Sequence, residues 1–300
     1  MATKTPPDFS ALEAALLDRR RRVEGALERL APKSEAPEVE AALRDSLYAP
    51  AKRLRPILAL LVAEVLRGDP EPVLPAACSI EMVHTASLIL DDLPSMDNAS
   101  SRRGRPACHV VHGEAMAILA AFALLNRAFE ILAEGWPGGP DAAARAVIGR
   151  ELARAVGPEG MIAGQARDLA MTDRVIDFPT LEFIHSRKTG ALFMAAAALG
   201  ALAAGASAAE RAAVVAYSKN IGLAFQIVDD LIDVTIGAEE AGKDVGKDAK
   251  KATFVSFAGV AGAQQLAREL VDAGQEALSG FGARAQPLRD LAEHVVARRR

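Results

Sequence analysis

Carboxylates at regular spacing occur twice in the chain. Asp91 and Asp92 stand side by side at the end of an apolar run, Pro94 forces the backbone out of helix, and Asp97 brings a third carboxylate back within reach. In the second cluster Gln226, Asp229, Asp230 and Asp233 are related by steps of three and four. At about 100° per residue they share one helix face, while Phe225, Ile227, Val228, Leu231 and Ile232 cover the others. Two aspartates before a proline turn are by themselves usually a solvated helix end. Acids stacked within an apolar helix are different, because they repel and unpaired buried charge is very costly, so a cation has to offset them. Oxygen donors with no thiol nearby select a hard ion, Mg²⁺ over Zn²⁺. The adjacent Arg102 and Arg103 point to an anionic, phosphorylated substrate carried by the metals. The two clusters would then face each other across a cavity.

Further chemistry-bearing residues sit at helix ends. Lys52 and Arg55 lie where a core helix begins, a ready anion site, although a plain basic surface turn has the same composition. His84 is two turns up the helix from Asp91, a position where a lone histidine is otherwise a satisfied core residue. Lys188 and Thr189 stand at the mouth of an uncharged stretch; the lysine could merely snorkel, but Gly190 weakens the helix there and could expose Thr189 and backbone carbonyls. Residues 239–251 alternate in charge, ordinarily a solvated loop, yet beside a metal cluster Lys243 and Lys251 can close over a diphosphate.

The elements that must position these residues are helices. The chain has 300 residues, 51% of them apolar and only 4% aromatic, with alternating strand patterns almost absent, so we expect an all-α fold in one domain spanning 1–300. Periodicity and caps place helices at about 10–31, 38–48, 54–66, 72–93, 106–134, 141–156 and 158–171. A further helix starts at Asp177, another at Ser207 ends at Gly237, and two amphipathic helices follow Thr253, leaving Arg298 to Arg300 as an exposed basic tail. The continuously apolar 115–125 should be buried and line or floor the cavity. A net charge of −4 with interspersed signs gives no footprint for nucleic acid or an anionic membrane. Cys78 and Cys108 fit neither a metal spacing nor a disulfide framework, and the polar start lacks a signal core, so a reducing, cytoplasmic location is expected. Residues 189–209 carry no charge and are long enough to span a bilayer, but their Ala and Gly content favours a core helix and no membrane span.

Taken together, Lys52 to Pro56, His84 to Asp92 with Arg102 to Gly104, Gly164-Gln165, Lys188 to Gly190, Phe225 to Asp233, and Gly242-Lys243 through Lys251 to Thr253 resemble the trans-polyprenyl diphosphate synthases, of the short-chain, geranylgeranyl type. The resemblance implies a single large helical bundle of the isoprenoid synthase type with a central active-site cavity, a homodimer, and about three Mg²⁺ per active site. It implies that isopentenyl diphosphate condenses with an allylic diphosphate (dimethylallyl, geranyl or farnesyl). Asp91, Asp92, Asp97, Asp229 and Asp233 would hold the metals. Lys52, Arg55, His84 and Arg103 would bind isopentenyl diphosphate. Arg102, Lys188, Lys243 and Lys251 would grip the allylic diphosphate, and Thr189 and Gln226 would steady the allylic cation. The chain departs from the pattern at Pro50-Ala51, where relatives have a glycine pair, and at Phe122, where many have an aspartate. Small Ala86 and Ser87 before the first motif should let the tail pass to a deeper floor carrying Phe122, giving a twenty-carbon product. A farnesyl synthase, a terpene cyclase and a non-catalytic regulatory subunit are the alternatives.

Overall fold

The structure, a computed structural model, describes residues 9–240 and 252–298; Lys243 and Lys251, expected at the allylic diphosphate, lie outside them. Residues short of β-branched and aromatic side chains give helices α1 (Ser10–Leu30), α2 (Pro37–Leu47), α3 (Leu54–Arg67) and α4 (Leu74–Asp91). After a short hairpin come α5 (Cys108–His112), α6 (Glu114–Glu134), α7 (Ala142–Val156), α8 (Met161–Ala170) and α9 (Phe178–His185). A π-helical turn, Ser186–Gly190, leads into α10 (Ala191–Ala203), followed by α11 (Ala208–Glu240), α12 (Phe254–Ala277) and α13 (Gln286–Ala297).

The centre is α10. From Ala191 to Ala201 every side chain except Met194 is buried, against α3, α7, α11 and α4. Small residues allow this approach: a Cβ on Gly200 would stand 2.5 Å from the Ala59 carbonyl oxygen of α3. The uncharged stretch is thus a core helix of 13 residues, about 20 Å long and too short for a bilayer of about 30 Å. Two other helical stretches, Glu71–Asp91 and Glu114–Glu134, have the length and hydropathy of a span, and the first is mostly buried within the protein.

Three expectations fail, each for a physical reason. Residues 106–134 are not one helix: Gly113, at φ 80° and ψ 157°, breaks the chain between α5 and α6, and Pro106 pairs with Ser101 in a two-stranded hairpin, Ser101–Arg102 against Arg105–Pro106. The turn between those strands has Arg103 and Gly104 both at positive φ, a two-residue hairpin connection too short for any strand periodicity to register. Residues 115–125 are not buried all round either. α6 packs Ala117, Ala120, Ala121 and Leu124 inward, but Leu119 and Phe122 face out, Phe122 at 63% exposure, so Phe122 lies outside the core of this chain. Finally, α11 continues past Gly237 to Glu240.

Candidate active site

The first acidic motif is shaped by the end of α4. Beyond Asp91 the chain folds back, with Asp97 N–H donating to the Asp91 carbonyl at 2.9 Å and Ala99 N–H to that of Asp92 at 3.1 Å, so Asp97 returns beside the helix end on an exposed turn. Asp91 and Asp92 then diverge. Asp92 is 3% exposed, and its carboxylate accepts from Arg102 Nε at 3.0 Å and from Nη2, which ties the hairpin to the helix. Asp92, expected as a metal ligand, thus also anchors the hairpin through Arg102. The bond that Arg102 donates to Asp92 holds Arg102 above its ordinary pKa, while Arg103 at the turn is drawn down by burial. Asp91 accepts from Gln165 of α8 and lies 3.5 Å from Lys188 Nζ, which also meets Asp168 at 2.9 Å. Burial pushes the Asp91 carboxyl up and Lys188 pulls it back; burial likewise opposes the Lys188 charge, but Asp91 and Asp168 hold it above its usual range. Gly164 makes this possible, since a Cβ there would stand 2.2 Å from Lys188 N.

The next residue crosses to the second motif. Thr189 Oγ1 donates to Gln226 Oε1 at 3.1 Å, and Gln226 Nε2 donates to Asp230 Oδ1 at 3.1 Å. Asp230 is 7% exposed and also accepts the Phe254 N–H at 3.0 Å, so it fastens the first turn of α12. Asp229 looks elsewhere: Arg298 Nη2 donates to its Oδ1 at 2.6 Å, and Asp233 is exposed one turn on. Arg298, expected in a free tail, is instead 8% exposed along its side chain. The π-helical turn therefore touches both acidic motifs with consecutive residues.

A basic corner adjoins them. Arg53, at the left-handed φ of 51°, turns inward to Glu81 at 2.7 Å and the Leu47 carbonyl at 2.5 Å, both side chains of the ion pair being essentially buried. Such a pair is held by geometry, and breaking it would cost about 3–5 kcal/mol. The anchor sets the loop without a glycine: Pro50 and Ala51 do not need positive φ. Arg55 Nη1 donates to His84 Nε2 at 3.2 Å and packs over the Phe193 ring at 4.7 Å. Burial draws Arg55 down to about 10 and pushes His84 well below its usual range, helped by Arg55 and Arg103, so His84 is neutral and accepts at Nε2. Ser87 lies half-buried on the Asp91 face of α4, its hydroxyl donating to the His84 carbonyl at 2.8 Å, while Ala86 is 3% exposed in the core on the far side. A cavity of about 230 Å³ lies behind the first motif, lined by Thr85, Leu88, Asp92, Arg102 and Arg103 among others.

Among the described residues, no three acidic side chains converge into a ready-made ion cage. Mg²⁺ takes one or two carboxylates and completes its shell with water and substrate phosphates, and the carboxylates of Asp91 and Asp229 are of that kind. The donor set is oxygen only, and the fixed cations nearby can grip the same phosphates. Sequence reading missed Arg53, Glu81 and Asp168, whose roles depend on partners 20 or more residues away, and Arg298; it placed Asp230 on the acidic face but not its hold on Phe254.

Residues 36–277 match the family model described as Polyprenyl synthetase. The geranylgeranyl pyrophosphate synthase 3, chloroplastic, of Arabidopsis thaliana is 44% identical over 92% of this chain and 78% of its own. The geranylgeranyl diphosphate synthase of Cyanophora paradoxa is 43% identical over 94% and 95%. A crystal structure of an FPP/GFPP synthase from Zymomonas mobilis superposes with a TM-score of 0.84 at 35% identity, covering 95% of this chain and 99% of that one.

Proposed function

The chain belongs to the polyprenyl synthetase family, and from that premise we propose that it is a short-chain trans-prenyltransferase condensing isopentenyl diphosphate with an allylic diphosphate to give geranylgeranyl diphosphate. The observation that carries this reading is the π-helical turn, which sets Lys188 on Asp91 and Thr189 on Gln226, so that one segment serves both acidic motifs. Asp91 and Asp97 on one side and Asp229 and Asp233 on the other would hold Mg²⁺, about three ions, and when bound the metal neutralises the charge developing on the leaving diphosphate. Lys188 and Arg102 would grip that diphosphate, with Lys243 and Lys251 added from the next loop. Thr189 and Gln226 present oxygens to the allylic cation, and the apolar walls of α4 and α10 keep water from quenching it. Lys52, Arg55, His84 and Arg103 would hold isopentenyl diphosphate, whose double bond attacks the cation; a proton then leaves, and no side chain need act as nucleophile.

Product length is read at α4. Ser87, a turn above Asp91 and about 6 Å deeper, is small, so the tail would run past it. A fifteen-carbon product is the second reading, favoured by the structural relatives named for FPP. We further propose a homodimer formed through the outward apolar face of α6, with Leu119 and Phe122, and a reducing, cytoplasmic setting in keeping with two free cysteines; the Arabidopsis relative is named chloroplastic, and cell fractionation distinguishes the two. The decisive experiment incubates purified protein with labelled isopentenyl diphosphate and each allylic starter, with Mg²⁺ or with chelator. A twenty-carbon product only in Mg²⁺ is expected. No chain extension from any starter would refute the enzyme reading, and a fifteen-carbon product the length assignment.

A further inference from the structure

The last described residue is held more tightly than a helix end requires. Arg298 follows α13 and reaches back to α11, donating from Nη2 to Asp229 Oδ1 at 2.6 Å and to the Phe225 carbonyl at 2.8 Å. Its guanidinium carbon lies 3.8 Å from the Phe225 ring centroid, and Phe225 stacks on Phe193, the ring that carries Arg55, with centroids 5.5 Å apart. The grip is nevertheless incomplete, because Arg298 Nε is buried without a hydrogen-bond partner. Asp229 is also the least enclosed member of its pair, with 38% of its side chain exposed against 7% for the whole of Asp230. A guanidinium on Oδ1 and a divalent ion on the same carboxylate would be like charges a few ångströms apart, and each disfavours the other.

We propose that Arg298 competes with a divalent cation for Asp229, so that loading the second acidic motif displaces Arg298 and releases the end of α13. This rests on the assignment of Asp229 as a metal ligand above and makes Arg298 a positioning residue. While bound it orients the Asp229 carboxylate; on loading it leaves Phe225 and is free to turn toward the basic corner, where Lys52 lies. Metal entry would thereby be coupled to the isopentenyl side of the cavity.

The test uses the full chain with Mn²⁺ as the probe and inorganic pyrophosphate in place of substrate. Free Mn²⁺ is read by electron paramagnetic resonance for wild type, Arg298→Gln, Arg298→Lys and Asp229→Ala. Loss of a charge-assisted competitor should tighten Mn²⁺ binding by about tenfold in Arg298→Gln, with Arg298→Lys near wild type and Asp229→Ala weakened. Hydrogen exchange supplies a readout independent of turnover: the C-terminal peptide should exchange faster in wild type once Mn²⁺ is added, and fast with or without metal in Arg298→Gln. Equal Mn²⁺ affinity in wild type and Arg298→Gln, or protection of that peptide that rises on loading, overturns the inference while Asp229-dependent binding leaves the proposed function standing. Binding that does not depend on Asp229 overturns both the inference and the assignment of Asp229 as a metal ligand.

Discussion

The two acidic motifs look alike in sequence and are built differently. In each, the second aspartate is the buried one: Asp92 is 3% exposed and Asp230 7%. In each, the first aspartate meets a cation from a distant segment, Lys188 at Asp91 and Arg298 at Asp229. The difference lies in what the buried member anchors. Asp92 holds Arg102, a charged side chain that remains 38% exposed and able to grip phosphate, whereas Asp230 holds the backbone N–H of Phe254 and so the start of α12. One anchor serves the chemistry and the other the fold. Position explains this: the first motif ends a helix and is followed by a hairpin carrying arginines, while the second lies within α11, where its free edge faces another helix.

The strongest way to break this comparison is to remove the outward member of each pair. Asp91→Ala and Asp229→Ala should each lower kcat by several orders of magnitude with the helical circular dichroism unchanged, since lost charge stabilisation acts on the barrier. Near-normal turnover in either variant, measured in saturating Mg²⁺, would end the symmetry of the two motifs.

Next come the arginines of the hairpin. Because Arg102 bends back to Asp92 while Arg103 sits at the turn, Arg103→Ala and Lys52→Ala should raise the KM for isopentenyl diphosphate by about tenfold to a hundredfold, from lost ionic binding. Arg102→Ala and Asp92→Ala should act together on the allylic substrate. Steady-state kinetics with each substrate varied in turn separates these outcomes, and a shared effect of both arginines on the allylic side alone would erase the division.

The anchors themselves sharpen the contrast. Asp230→Ala leaves the Phe254 N–H without its acceptor and should lower stability by about 1–3 kcal/mol, seen as a reduced denaturation midpoint. Asp92→Ala should cost less stability, because Arg102 can turn to water. The reverse order would show that the hairpin, and not α12, is the element more dependent on its aspartate.

A smaller effect separates the helices that carry the motifs. α4 holds a histidine, His84, neutral in the fold and pushed well below its ordinary value by burial and by Arg55 and Arg103. A group whose folded pKa lies below its unfolded value of about 6.5 binds more protons when unfolded. Stability should therefore fall as pH drops below about 6.5, and His84→Gln should flatten that slope. Identical pH profiles of wild type and His84→Gln in urea unfolding would contradict the neutral assignment. Product length is the finest probe: Ser87→Phe, on the Asp91 face, should shorten the product more than Ala86→Tyr on the core side, as chromatography of the extracted alcohols would reveal.

What the sequence determined by itself is local and periodic. Helical spacing put Gln226, Asp229, Asp230 and Asp233 on one face, the uncharged 189–209 yielded the core helix α10, Asp177 and Ser207 mark true helix starts, and the order of motifs was specific enough for the family. Such features depend on residues a few positions apart, whose geometry the backbone fixes. Tertiary structure alone decided which aspartate of each pair turns inward, because that depends on Arg102, Phe254 and Arg298 arriving from elsewhere in the chain. It also decided that Arg298 is held at Asp229 and that Phe122 faces outward. An apolar helix carries no mark of which of its sides will meet a neighbour, and a terminal arginine carries no mark of the carboxylate that will hold it.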